Sequence, residues 1–315
     1  MTGLGTVLVL LAAVCWGLSG GIGGILMADG WDPFVVSFYR GAIGLLFVLG
    51  WLAVRPYESG LRSGRLWLWS ALAGLGVAGN FAFYFVSIAN GSVAVAVTLM
   101  YCAPVFVYLV SFALKLEQPT VGKGAAIGLV LVGILLLTQL YDVGAGGVTL
   151  IGAGAGLLAG LSYALFIFGF KFALPHGSPQ AILTIAFGVL GCVLFLPGDN
   201  AQIIEALTTP DWPLFVALGI LGAGLSFLAY VFGLRNTVPS RASIIATVEP
   251  ITAALFGVLI LGERLAIPQI LGMVLILVTI TVLTVRTRVI PVEEVATATE
   301  GIPTTDDSPS SSSPR

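Results

Sequence analysis

The chain has 315 residues, 58% of them hydrophobic and only 9% charged, against roughly 25% charged in an average soluble domain. So small a charged complement excludes a water-soluble surface for a protein of this size. Lys+Arg 13 against Asp+Glu 15 leaves no basic excess to hold nucleic acid. One histidine, His176, and three cysteines isolated in apolar runs, Cys15, Cys102 and Cys192, supply neither zinc spacing, nor a disulfide framework, nor a Ser/His/Asp triad. No cofactor or metal is expected.

Crossing a hydrocarbon core takes about 20 apolar residues. Ten runs fit, at 5–27, 33–54, 66–88, 91–114, 122–140, 149–174, 179–197, 213–234, 239–261 and 266–286. None alternates like a barrel strand, and a backbone amide in lipid must be satisfied within its own segment, so all ten are expected as helices. The fold class expected is an all-α polytopic membrane protein. The first run has no basic residue ahead of it and no small-x-small cleavage site, so it is kept as a span rather than a signal peptide. Residues 289–315, acidic and then rich in Thr, Ser and Pro, carry too little apolar surface to fold and read as a disordered tail.

Lys and Arg set the orientation, since cytoplasmic loops hold the positive excess. With the N-terminus inside, the inner loops and tail hold eleven, Arg55, Arg62, Arg65, Lys115, Lys123, Lys171, Arg235, Arg241, Arg286, Arg288 and Arg315, and the outer loops hold only Arg264. Both termini are therefore expected in the cytoplasm, in a multi-pass protein of the cell membrane. Trp31, Trp51, Trp67, Trp69 and Trp212 mark span ends as interfacial rings do, and Trp16 alone falls near a span centre.

An offset of 146 residues pairs Pro33 with Pro179, Gly76 with Gly222, Phe81 with Phe227, Tyr84 with Tyr230, Asn90 with Asn236, Pro104 with Pro250 and Glu117 with Glu263. Two repeats follow, at 1–140 and 149–288, each of five spans. An odd number inverts the second copy, so Glu117 is expected inside and Glu263 outside. Inverted repeats place a binding site at their interface near the midplane, and rocking one half against the other exposes it to each side in turn.

The run TVEPITAALFGVLILGERL (247–265), its partner MYCAPVFVYLVSFALKLEQPT (100–120) and Trp16-Gly17 resemble the EamA branch of the drug/metabolite transporter superfamily. The resemblance covers residues 1–288 and implies a carrier of amino acids, other small metabolites, sugars or nucleobases. Lys115-Leu116 depart from the Leu-Gly pair usual before the first-repeat Glu.

Pro104 and Pro250 fall within spans, where proline frees the carbonyls of Met100 and Ala246. The helices they interrupt either line a cavity and bend during transport or hold static kinks. Glu249, near the centre of span nine, must face the interior, pair or stay protonated. It serves a proton or a substrate ammonium, or else bonds the carbonyl that Pro250 frees. Arg40 lies about 10 Å inside span two at 1.5 Å per residue. It grips a substrate carboxylate, snorkels outward or pairs with Glu249. Trp16, Tyr101 and Tyr163, with Ser19, Asn80, Ser226 and Thr247, supply the aromatic wall and scattered polar groups of a small-molecule site, or fill space between helices. Tyr84 and Tyr230, nearer opposite faces, are candidate gates. Glycines at Gly17, Gly20, Gly21, Gly24, Gly152, Gly156 and Gly160 have the small-xxx-small period of close helix packing, which favours a monomer or a weak homodimer.

An intramembrane enzyme lacks its motifs here, HExxH and GxGD among them. A passive channel lacks a filter repeat or ring of like charge, and no GxxxxGK[ST] loop implies ATP use. The expectation is a secondary transporter moving a small polar metabolite, an amino acid or relative, outward by alternating access, with protons as a candidate coupling ion. The alternatives are a passive facilitator and an exporter of cationic drugs.

Overall fold

The computed structural model describes residues 2–54, 59–113, 118–139, 148–234, 245–246 and 248–286. Among these, every regular element is helical: α1 (Thr2–Ala28), α2 (Pro33–Val54), α3 (Gly64–Ala89), α4 (Val93–Met100), α5 (Ala103–Ala113), α6 (Val121–Thr138), α7 (Leu150–Ala173), α8 (Pro179–Phe195), α9 (Asn200–Glu205), α10 (Trp212–Gly219), α11 (Leu225–Leu234), α12 (Val248–Leu259) and α13 (Ile267–Arg286). Seven helical stretches are long and apolar enough to cross a membrane, and Pro179–Phe195, Val248–Leu259 and Ile267–Val282 are three shorter apolar helices. The protein is thus an all-helical, multi-pass membrane protein. Residue 140, residues 239–244, Thr247, Glu117, Asn236 and the tail 289–315 lie outside the described residues.

Helices begin where a short polar side chain satisfies the first free N–H groups. Ser63, Ser92, Thr120 and Thr149 accept from the amides of Leu66, Val95, Lys123 and Gly152. Asp32 does the same for α2, its Oδ1 accepting from Phe34 N at 2.8 Å.

Within the runs, the structure is less uniform than hydropathy alone implies. Residues 91–114 form two helices, because the chain breaks at Tyr101–Cys102. Pro104 becomes the second residue of α5, where its missing N–H costs nothing. Residues 213–234 are interrupted by a π turn, Ile220–Gly224, between α10 and α11. Helix α9 lies in a segment read as plain loop. Trp31, expected as an interfacial ring, is buried instead. Its Nε1 donates to Asp211 Oδ2 at 2.9 Å and its ring meets Phe215 edge-on.

The packing joins the N-terminal and C-terminal halves at every level. Helix α3 lies along α7 and α8, while α1 lies along the α10–α11 stretch and α12. Helices α4 and α5 pack on α7, α2 on α8 and on the π turn, α4 on α12, and α6 on α13. Close approach explains the glycines. A methyl group on Gly76 would fall 2.6 Å from Phe166 N, and one on Gly169 would fall 2.7 Å from Ala73 N, so α3 and α7 meet backbone to backbone. Gly160 meets Met100 O and Gly17 meets Glu249 O in the same way, while Gly156 makes room for the Leu99 side chain. The small faces noted in the sequence are therefore spent inside the bundle. Large apolar side chains such as Leu131, Leu135, Leu271 and Val278 are left exposed on α6 and α13, which suits a lipid-facing surface.

Loops tie the halves at both ends. At one end Asp32 N donates to Gln202 Oε1 at 2.8 Å, and the Tyr39 hydroxyl donates to Ile203 O at 2.6 Å. At the other, Ser178 N donates to Ser59 O at 3.2 Å. Gly60, at φ 75°, lets this second turn close on the His176 carbonyl.

Candidate functional site

The broken helix leads to the centre of the molecule. Tyr101, at the break just past the end of α4, turns its hydroxyl toward α12 of the other half. The hydroxyl donates to Glu249 Oε2 at 2.8 Å and lies 2.9 Å from the carbonyl of Ala246. Ala246 is the residue whose carbonyl Pro250 leaves without a helical donor. One O–H proton is therefore shared between two acceptors, and both belong to the second half.

Glu249 is buried, with 9% of its surface exposed. Tyr101, Tyr163, Tyr230 and Tyr84 all lie within electrostatic range of it. Tyr163, in electrostatic range of Tyr230 and Glu249, keeps 39% of its surface exposed. Trp16 of α1 completes the wall, its ring centroid 5.0 Å from that of Tyr230 and 5.5 Å from that of Phe227. Its Nε1 is buried and has no hydrogen-bond partner among the described residues. A buried donor left unpaired costs on the order of 1–3 kcal/mol, which makes this N–H a candidate for a bond to cargo.

Arg40 occupies the other side. It is buried, and its Nε and Nη2 donate to Gly222 O at 3.3 and 3.2 Å. Gly222 lies inside the π turn, where the altered backbone pairing releases a carbonyl from the helical ladder. The guanidinium carbon stands 4.0 Å over the Phe81 ring and 5.7 Å from the Phe85 centroid, the arrangement of a cation on aromatic faces. Arg40 is within electrostatic range of Glu249 and Tyr84. It does not run outward to a membrane face. Its remaining guanidinium N–H groups make no hydrogen bond among the described residues.

The other expected residues divide. Ser19 is buried beside Gly222, and its Oγ donates to Trp16 O at 2.7 Å. Asn80 is spent between helices, its Nδ2 donating to Ala159 O at 3.1 Å. Ser226 is fully buried with its Oγ unpartnered among the described residues. Tyr84 is buried with its hydroxyl against Gly20. Thr247 lies outside the described residues. The residues missed from sequence are Phe81 and Phe85 under the guanidinium and the carbonyl of Gly222, whereas the Ala246 carbonyl, expected to be freed by Pro250, takes the Tyr101 hydroxyl rather than Glu249. The glycines at 219, 222 and 224 are the one sequence signal that marks the irregular turn.

A buried cation, a buried carboxyl and an aromatic wall thus lie between the two halves of an all-helical bundle. The chain belongs to the EamA-like transporter family, whose pattern matches twice, at residues 3–139 and 150–285. It is similar to a protein described as an uncharacterized transporter from Archaeoglobus fulgidus, 31% identical, with 87% of this chain and 93% of that one covered. A Helicobacter pylori protein with the same description is 30% identical over 87% of this chain and 92% of its own. The Bacillus subtilis uncharacterized transporter YxxF is 27% identical over 77% and 78%. A crystal structure 18% identical to this chain superposes with a TM-score of 0.55, covering 89% of this chain and 96% of that one, which shows a shared fold.

Proposed function

We propose that the protein is a secondary transporter of the cytoplasmic membrane that carries a small zwitterionic metabolite, an amino acid or close relative, outward by alternating access. The observation that carries this reading is the pair of Arg40 and Glu249, both buried between the two halves and within electrostatic range of each other, which the reading takes as two sides of one cargo chamber. Arg40 brings unspent N–H donors for a carboxylate, Glu249 an acceptor for an ammonium, and Trp16 Nε1 a further donor. The two repeats are read as inverted, with ten spans and both termini in the cytoplasm. The helix pairing supports this. Exchanging each helix for its partner 146 residues on turns the α3–α7 contact into that of α10–α11 with α1, and leaves α2–α8 and α6–α13 paired with themselves. Tyr84 and Tyr230 then lie outward and inward of Glu249 as gates. Proton coupling, where it operates, passes through Glu249. A monomer suffices, because the small-residue faces pack internally.

One observation favours a second cargo. Glu249 among Trp16, Tyr101, Tyr163 and Tyr230 is also a setting for a lipophilic cation.

Counterflow in proteoliposomes with labelled amino acids, sugars, nucleobases and tetraphenylphosphonium separates the readings. Amino-acid exchange that Arg40→Ala abolishes supports the zwitterion. Exchange of tetraphenylphosphonium alone, unaffected by Arg40→Ala, overturns it. If Glu249→Gln leaves both exchange and proton-driven accumulation intact, Glu249 has no part in transport.

A further inference from the structure

The loop between α12 and α13 does more than connect them. It turns sharply at Gly262, where φ is 70°, and folds Glu263 back toward the first half of the molecule. There the Glu263 carboxylate receives Val93 N at 2.7 Å on Oε1 and Ala94 N at 3.5 Å on Oε2. These are the first two amides of α4. The third, Val95 N, goes to Ser92 Oγ at 3.3 Å. The loop holds itself in place through Glu263 N, which donates to Gly257 O at 2.9 Å. Gly257 must be glycine for this, since a methyl group there would fall on the carboxylate. Leu261 closes the rest of the contact, packed against Gly24 and the core around Val93.

Helix α4 is therefore gripped by the second half at both ends. Glu263 holds its start, and Tyr101, just past its last residue, bonds Glu249 and Ala246 in the chamber. Eight residues at 1.5 Å each make a rod of about 12 Å, with Val93 through Leu99 buried along it. Tyr84 lies within electrostatic range of both Glu263 and Glu249.

We infer that the Glu263 carboxylate is a latch that holds the outer end of the chamber shut by capping α4 across the boundary between the repeats, and that it must let go for the chamber to open outward. This deepens the transport reading above and uses its orientation. Glu263 and the two amides it accepts from are none of the groups assigned to cargo above.

The test needs no substrate. Ser19→Cys, a buried reporter in the chamber, is placed in a cysteine-free background (Cys15→Ala, Cys102→Ala, Cys192→Ser) of the full chain. Reaction with a membrane-impermeant methanethiosulfonate is timed from the outside and from the inside of oriented vesicles. Glu263→Ala is expected to speed labelling from outside about tenfold and to leave labelling from inside unchanged or slower. Gly257→Ala, which displaces the carboxylate and keeps it, should do the same if Glu263→Ala fails to accumulate. Glu263→Asp, with a shorter reach, should fall between parent and alanine. Unchanged outside labelling in these variants overturns the latch, as does a rise from both sides together, which marks general loosening. A directional change in labelling with no counterflow of any cargo keeps the latch and rejects the proposed function. Counterflow with unchanged labelling does the reverse.

Discussion

Arg40 shows how a charge is kept in an apolar span. Burying an unpaired guanidinium is prohibitive, and the chain meets the cost with a backbone carbonyl and two aromatic faces rather than with an ion pair. Lysine carries the charge but neither stacks as a plane nor donates as a fork. Arg40→Lys should therefore weaken binding of an amino-acid cargo about tenfold while leaving its decarboxylated amine unaffected, as read by calorimetry on purified protein; equal losses for both ligands would make Arg40 structural. Tyr101→Phe removes a hydroxyl that serves two acceptors, and should lower stability in detergent by about 1–3 kcal/mol. Arg40 and Glu249 are legible in the sequence because an ionisable residue in an apolar run has few things to be. Their partners are not. Gly222 contributes only a carbonyl to Arg40, freed by a π turn that hydropathy does not register, and the hydroxyl that meets Glu249 comes from Tyr101 of the opposite half.

At the scale of the helix, the limits of the spans and the break before Pro104 follow from charge and proline, and the π turn does not. The break at Tyr101–Cys102 falls just before Pro104, where proline disrupts the preceding turn, whereas the π turn at Ile220–Gly224 occurs inside an apolar stretch compatible with a continuous helix, and tertiary contacts decide. Helix α9 was missed because six residues are too few to show a period, and Trp31 because an interfacial ring and a ring under a loop have the same sequence position. Glycine content likewise separates only in three dimensions. Gly76 meets the backbone of α7, whereas nothing lies near Gly128 on the exposed side of α6. Gly76→Ala should cost about 1–3 kcal/mol through overpacking, and Gly128→Ala should be neutral or raise stability by up to about 1 kcal/mol. Thermal unfolding in micelles compares the two, and similar losses for both would contradict the close approach of α3 and α7.

Across the whole molecule, the repeat was readable because Pro, Tyr, Asn and Glu recur at one spacing in a chain otherwise made of interchangeable apolar residues. The arrangement of helices that brings Arg40 and Glu249 together was not, since contacts 182 residues apart leave no trace in a single sequence. The inverted reading makes a direct topological prediction. Cysteines replacing Asn90 and Asn236 should react with an impermeant reagent from opposite sides of the membrane, and reaction from one side would remove the twofold relation.

The ties between loops bear on how such a molecule can move. Helices α2 and α8 lie against each other and are fastened at both extremities, through Asp32 and Gln202 at one and Ser59 and Ser178 at the other. A pair pinned twice cannot pivot about either pin, so it behaves as an axle around which the remaining helices turn. Deuterium uptake should accordingly be slowest along α2 and α8 under every condition that drives the cycle, with the turnover visible only in their neighbours.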